Sequence, residues 1–168
     1  MMKSKLVWNS LILIVVAFII ALSTLLAADK QSRTRDDVSA LLALHARERE
    51  AHLKGDATMM VDLLQTPFIE VGEGDIHHKS RADLLKQIGQ YFAESQILEW
   101  DDVTPPEVHV AHDGSMGWMA VKIRCRYLAK GPKGQPVKTE FVSAWIANYE
   151  KDKEGHWRAA GVSSSFQQ

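Results

Sequence analysis

The spacing of hydrophobic and polar positions divides the chain into three stretches. Residues 11–28, LILIVVAFIIALSTLLAA, contain no charged side chain. From Val38 to Phe92 the apolar residues recur at intervals of three and four, which predicts amphipathic helices. From Ile97 onward the interval is two, which predicts strands. The pattern therefore predicts an uncharged N-terminal segment, then helices, then a sheet.

The uncharged segment has the layout of an export signal. Lys3 and Lys5 precede it, and four charged residues follow it between positions 29 and 35. Small residues at 21–23 or 26–28 are the candidate cleavage sites. The 23 residues at 6–28 are also long enough to cross a bilayer as a helix. We expect 1–28 to be either a cleaved signal peptide or a retained signal-anchor helix. The chain would then be exported across the cytoplasmic membrane and be periplasmic, secreted or anchored through residues 6–28.

A linker at 29–35 and one domain at 36–168 are expected after this segment. The whole chain carries 20 basic and 21 acidic residues and has a pI of about 6.7, which argues against nucleic acid as a partner. Without Lys3 and Lys5 the remainder has a net charge of −3. Cys125 is the only cysteine, so an intramolecular disulfide and a Cys-rich zinc module are excluded. Its position in a strand pattern predicts a buried side chain.

Helix boundaries are marked by capping residues. The first helix is expected to stop at Gly55, and Asp56 is placed to cap a second, shorter helix that runs through Met59, Met60, Leu63 and Leu64 until Pro67. Ser80 is placed to cap a third helix. The buried side of that third helix is expected to comprise Leu84, Leu85, Ile88, Tyr91 and Phe92.

Turn signals in the second half predict an antiparallel meander. Asp113-Gly114 is a hairpin turn, the 131–136 loop joins the next two strands, and the 151–155 loop closes a last hairpin. These loops predict the opposed pairs Val108 with Met119, His109 with Trp118, Arg126 with Glu140, Cys125 with Phe141, and Tyr149 with Trp157.

The two faces of this sheet differ in composition. On one face the side chains are large and aromatic at one end of the sheet. At the other end they are small, at Gly161, Ser163 and Ser165, and this difference leaves room for a cavity. We expect the helices to cover that face. The opposite face is expected to be half-solvated or covered by a partner, and it carries Trp118, Lys122, Arg124, Arg126 and Arg158.

Three helices followed by a sheet resemble a known superfamily. The residues that carry the resemblance are Lys54-Gly55-Asp56, Phe68-Ile69-Glu70-Val71 and Gly155-His156-Trp157-Arg158. Over about residues 36–166 the chain resembles the NTF2-like superfamily, and within it the SnoaL-like and DUF4440-type proteins. The resemblance implies an α+β, cystatin/NTF2-like cone in which three N-terminal helices pack on a curved antiparallel sheet. It also implies a homodimer through the outer sheet face and a small apolar or amphipathic ligand in the cone.

The superfamily does not imply one activity, because it includes isomerases, dehydratases, cyclases, hydrolases and binding modules. Ketosteroid isomerase belongs to this superfamily and uses a tyrosine and two carboxylates. In this chain the resemblance places the corresponding positions at Glu48, Gly72 and Trp145. None of those three functional groups is kept. Related families place a cavity-facing histidine where this chain has Ser163.

Two residues are candidates for acid–base chemistry. Glu70 follows Phe68 on a short strand, and a buried carboxylate there would act as a base; His45, inside the apolar stripe of the first helix, would assist it. The alternatives are that Glu70 faces water or pairs with an arginine, and that His45 belongs to the polar end of an amphipathic helix.

His77 and His78 are adjacent on an extended segment and point to opposite sides, so no metal site is expected there. No cofactor is expected.

The cavity is expected to be lined by aromatic and small polar side chains. Ordinary core packing is the alternative for the aromatic ones. The expected lining residues are Glu48, Tyr91, Trp100, Phe141, Ser143, Trp145, Trp157 and Ser163.

Three functions are compatible with the sequence. The first is binding of a small apolar or amphipathic molecule in the cone without chemistry. The second is an acid–base enzyme, an isomerase, dehydratase or hydrolase of SnoaL or ketosteroid isomerase type, that uses Glu70. The third is a structural partner domain of an envelope complex that uses the outer sheet face.

Overall fold

A computed structural model describes the backbone of residues 3–167 and the side chains of residues 29–165. The expected signal peptide or signal-anchor at 1–28 lies outside the described side chains. The chain divides into two compact units, Met1–Asp36 and Asp37–Gln168. None of the helices, over the residues that are described, combines the length and the hydropathy needed to cross a bilayer.

Residues 3–167 contain three helices; the second and third start after their capping residues, and the second ends at Val61, earlier than expected. Helix α1 spans Lys3–Lys54, α2 spans Ala57–Val61 and α3 spans Arg81–Glu94. The expected linker at 29–35 is helical and forms part of α1, where Arg33 and Asp29 form an ion pair at 2.7 Å one turn apart. No proline or glycine interrupts the sequence from there to Lys54.

The predicted caps are confirmed. Gly55 adopts a φ of +63° directly after α1, a conformation that glycine reaches without steric cost. Asp56 accepts a hydrogen bond from the backbone N–H of Met59 at the start of α2. Ser80 and Asp83 form a reciprocal capping box at the start of α3.

Over the part of the chain that the structure describes, seven strands form one mixed sheet. β1 and β7 run parallel, and every other described pairing is antiparallel. The order is β2-β1-β7-β6-β5-β3, and β4 also pairs with β5. The α+β fold class is confirmed, but the expectation of a wholly antiparallel sheet is wrong. The strands are β1 Leu64–Gly72, β2 Asp75–Lys79, β3 Ser95–Asp102, β4 Glu107–Val110, β5 Met116–Lys130, β6 Pro136–Lys151 and β7 Trp157–Gln167.

Hairpin register follows the sequence in two hairpins and departs from it in the third. All four pairs predicted around the 113–114 turn and the 131–136 loop are confirmed. The pairing of Tyr149 with Trp157 is wrong, because Tyr149 lies opposite Ala159 and Trp157 opposite Lys151. Asp152 shifts the turn, since its carboxylate accepts hydrogen bonds from the backbone N–H groups of Glu154 and His156.

A β-bulge in β7 reverses which side chains face inward. Tyr149 pairs with Ala159 and Asn148 with Gly161, so Ala160 is an extra residue without a partner on β6. Directly paired residues share a face of the sheet. Val162 and Ser164 therefore lie on the inner face with Ala147 and Trp145, and Ser163 lies on the outer face opposite Ile146.

The described part of α1 contacts the sheet through a partly buried polar cluster. The indole N–H of Trp157 donates to Asp37 Oδ1 at 3.0 Å, and Lys151 Nζ lies 2.7 Å from the same oxygen. Lys151 Nζ also lies 4.8 Å from the centroid of the Trp157 ring. Leu41 and Leu44 of α1 pack into the core with Met119, Val121, Ile123 and Tyr149.

We predict that Gly161→Ala destabilises the domain by about 1–3 kcal/mol, because an added methyl group would lie 2.9 Å from the backbone oxygen of Ile69 and force β1 away from β7. Gly72→Ala in β1 is the matched control, since its methyl group would have no neighbour within 4 Å. Denaturant unfolding of both variants measures the difference. Equal stability of the two variants would contradict the close approach of β1 and β7.

Candidate functional site

One cavity of about 330 Å³ lies between the helices and the inner face of the sheet. Each of the three helices and the strands β3, β5, β6 and β7 contribute to its wall. The described lining residues are Glu48, His52, Met60, Tyr91, Trp100, Ile123, Phe141, Ser143, Trp145, Val162 and Ser164.

Six of the eight side chains expected to line a cavity come together here: Glu48, Tyr91, Trp100, Phe141, Ser143 and Trp145. Two corrections are needed. Trp157 is buried at the other end of β6 and β7 and donates to Asp37. Ser163 lies on the outer face of the sheet, because the bulge at Ala160 reverses the alternation; Val162 and Ser164 line the cavity instead.

Helix α1 presents His45, Glu48 and His52 to the sheet, because residues three and four positions apart share one face. Glu48 lines the cavity with a side chain that is only 15% exposed. His45 is 5% exposed. The polar end of α1 is therefore packed against the sheet, not solvated, at these positions.

His45 lies between two carboxylates. Its Nε2 is 2.9 Å from Asp102 Oδ1, a hydrogen-bond distance, and its Nδ1 is 3.5 Å from Glu48 Oε2, which is longer than a hydrogen bond. Asp102 ends β3 and its side chain is 34% exposed. Burial lowers the pKa of His45, but Glu48 and Asp102 together outweigh it and raise the pKa above the ordinary 6.5.

Aromatic rings form one wall of the cavity. The Trp100 ring is stacked on His52 with 5.0 Å between centroids, and its centroid lies 5.7 Å from that of Trp145 at a tilt of 50°. Arg49 positions this wall, because its Nε donates to the Trp100 carbonyl at 2.8 Å and its Nη2 pairs with Asp101 at 2.7 Å. The His52 ring is itself fixed by a 2.9 Å hydrogen bond from Nδ1 to the backbone oxygen of Glu48.

The buried phenols and the thiol near the cavity remain protonated at neutral pH. Burial raises the pKa of Tyr91, and its contact with Cys125 raises it further. Burial, and then the negative charge of Glu48, raise the pKa of Tyr149. Burial raises the pKa of Cys125 to about 11, with the Tyr91 contact opposing it. Cys125 is fully buried, as expected, and is not a nucleophile at neutral pH.

Glu70 is not one of the residues that line the cavity. It lies in β1 opposite His77 and Val162, with a side chain that is 35% exposed. Its Oε2 is 3.8 Å from Lys79 Nζ, so the basic partner is a lysine and not the arginine considered from the sequence. The two candidates for acid–base chemistry therefore have different partners, because His45 lies 3.5 Å from Glu48 of the cavity wall and Glu70 lies 3.8 Å from Lys79 of β2.

His77 and His78 are both exposed on β2. Over the described residues, no three side chains of His, Cys, Asp or Glu are grouped so that they could hold a metal ion.

Asp102 is one residue of the candidate site that the sequence pattern does not identify. It is 57 residues from His45, and only the pairing of β3 with β5 brings it beneath α1. His52 could be found from helical spacing, because it is four residues from Glu48 on the same helix. Met60 could be found as an apolar residue of the second helix. Val162 and Ser164 could not be found without knowledge of the bulge.

Comparisons with known proteins define the fold. No protein-family model matches the chain, and no curated protein matches it. Among solved structures, an NTF2-like protein with a cystatin-like fold from Novosphingobium aromaticivorans is 19% identical with a TM-score of 0.60, over 85% of this chain and 88% of that one. An NTF2-like superfamily protein from Salmonella enterica is 15% identical with a TM-score of 0.61, over 84% and 93%.

A ketosteroid isomerase-like protein from Erwinia carotovora atroseptica is also similar in structure. It is 12% identical, with a TM-score of 0.63, over 79% of this chain and 97% of that one. At these identities the similarity establishes the fold and not an activity. The chain has the cystatin-like fold of the NTF2-like proteins.

We predict that the pKa of His45, measured by NMR titration, lies above 6.5 and falls in Asp102→Asn. The variant loses one of the two carboxylates that raise this pKa, whereas the burial that lowers it is unchanged. Since the folded-state pKa is raised, the protonated imidazole contributes stability that is fully present below about pH 6.5 and is lost as pH rises through the folded-state pKa. The stability difference between the wild type and Asp102→Asn should shrink over that range. Asp101→Asn is the control, since Asp101 pairs with Arg49; an equal pKa shift there would contradict the assignment.

Proposed function

We propose that the domain binds a small apolar or amphipathic molecule in the 330 Å³ cavity. The observation that carries this proposal is the cavity wall, which combines four aromatic rings with three aliphatic or thioether side chains and few polar groups. Such a lining is typical of sites for small organic ligands. Burying roughly 200 Å² of apolar ligand surface gains about 5 kcal/mol before the cost of ordering the ligand.

The cavity geometry also supports a second candidate function, acid–base catalysis. Glu48 lines the cavity, His45 stands 3.5 Å behind it, and His45 contacts the half-buried Asp102. This order allows a proton taken by Glu48 to pass toward solvent through the imidazole. Because Glu70 does not line the cavity, we place the base of this alternative at Glu48 and keep His45 as its partner.

The narrower resemblance to SnoaL-like and DUF4440-type proteins belongs to the same proposal, since both functions fit such domains. Export, with residues 1–28 cleaved or residues 6–28 retained in the membrane, stays a prediction from the sequence. So do the homodimer and the envelope partner on the outer face. On that face Arg126 pairs with Glu99 and Glu140, and Ile146 is exposed.

We predict that Ser164→Phe abolishes binding of a neutral apolar dye, N-phenyl-1-naphthylamine, because the new ring would fill the cavity. Ser163→Phe is the matched control, since the adjacent residue points to the outer face. Dye fluorescence measures binding, and thermal unfolding verifies that both variants fold. The proposal fails if the unaltered protein does not bind the dye or if Ser163→Phe removes binding as fully as Ser164→Phe.

For the catalytic alternative, we expect the protein to speed solvent deuterium exchange at the α-carbon of 1-tetralone, an aryl ketone with a removable proton. Glu48 would take that proton, and the enolate would take deuterium back from solvent. Glu48→Gln should lower the exchange rate about 100-fold or more, and Glu70→Gln should leave it unchanged. NMR follows the exchange. A rate in Glu48→Gln equal to that of the unaltered protein would exclude Glu48 as the base.

A further inference from the structure

We propose that the cavity selects a cationic ligand: a small amphipathic ammonium compound whose positive charge lies against Glu48 and the aromatic wall. This inference rests on the proposed binding function and names the chemical class of its ligand. It follows from the charges around the cavity and from the arrangement of the rings.

The first observation is the charge of the wall. Among the described lining residues Glu48 is the one carboxylate, and none is a lysine or an arginine. His52, the remaining titratable nitrogen base, uses Nδ1 to contact the Glu48 backbone oxygen, so its neutral form presents Nε2 as an acceptor. The carboxylate of Glu48 therefore sets the charge of the wall, which attracts cations and repels anions.

The second observation is that Glu48 has an incomplete partner. Its carboxylate is largely removed from water, and its charged neighbour His45 lies at 3.5 Å, whereas Asp102 is nearer to the imidazole at 2.9 Å. Two carboxylates share one imidazole, so the cluster keeps a net charge of −1 even with His45 protonated. A buried charge without a full partner is costly, and a bound cation offsets that cost.

The third observation is the aromatic wall. Trp100 and Trp145 both line the cavity with their rings tilted by 50° to each other, and Tyr91 and Phe141 add further rings. Ring faces attract ammonium groups, most strongly where water is excluded. A neutral ligand would use the apolar contact area but leave Glu48 unpaired.

Two isosteric probes test the charge preference on the unaltered protein. Benzyltrimethylammonium and neopentylbenzene have the same shape, because a quaternary carbon replaces the nitrogen, and only the first is charged. Quenching of tryptophan fluorescence, checked by calorimetry, gives both affinities. We expect the ammonium compound to bind at least about ten-fold more tightly.

A variant then assigns the preference to Glu48. Glu48→Gln keeps the size of the side chain and should remove most of the ammonium advantage while changing the affinity for neopentylbenzene less than about two-fold. Glu50→Gln is the matched control, because this residue lies on the same helix but is paired with Lys54 and exposed. It should change neither affinity.

The outcomes separate this inference from the proposed function. If neopentylbenzene binds as tightly as the ammonium compound, or if Glu48→Gln keeps the full advantage, the cavity binds ligands without selecting a cation and the inference is overturned. If neither probe binds, the proposed binding function fails and the inference fails with it.

Discussion

The attachment of helix α1 to the sheet is the constraint on which the site depends. Asp37 holds Trp157 and Lys151 at one end of the contact, and Arg49 binds the Trp100 carbonyl and Asp101 at the other. Leu41 and Leu44 pack between these two polar contacts. Because the helix is fixed at both places, the rotation of α1 is fixed too, and with it the direction in which Glu48 points. The cavity and its charge therefore follow from contacts made outside the cavity.

His45 connects this attachment to the chemistry of the site. It is buried among rings, with Trp100 and Trp145 centroids at 5.3 and 6.5 Å, where an ionised imidazole would ordinarily be disfavoured. Asp102 and Glu48 reverse that preference. The same imidazole thus ties β3 to α1 and partly neutralises the carboxylate that faces the ligand space. A substitution of His45 would therefore alter both the contact between α1 and β3 and the charge beside Glu48.

The sequence predicted the features that depend on neighbouring residues. It did not predict the features that depend on pairing between distant strands. Gly55 marked the end of α1, and Asp56 and Ser80 marked the starts of α2 and α3, because capping involves only neighbouring residues. Short loops predicted the register of two hairpins for the same reason, but not that of the third, where Asp152 shifts the turn. The parallel pairing of β1 with β7 joins distant segments, and nothing in either strand specifies its direction. The contact of His45 with Asp102 and the displacement of Glu70 from the cavity arise from that same long-range arrangement.

The bulge in β7 has a consequence for how this site could diversify. Ser163 and Ser164 are neighbours with the same side chain, and only the extra residue Ala160 decides which of them belongs to the interior. If the same residues paired with β6 without the bulge, strict alternation would turn Ser163 inward and Ser164 outward without any change of residue type. A change of register within a strand can thus exchange the side chains that line a binding site, whereas point substitution would have to replace them one at a time.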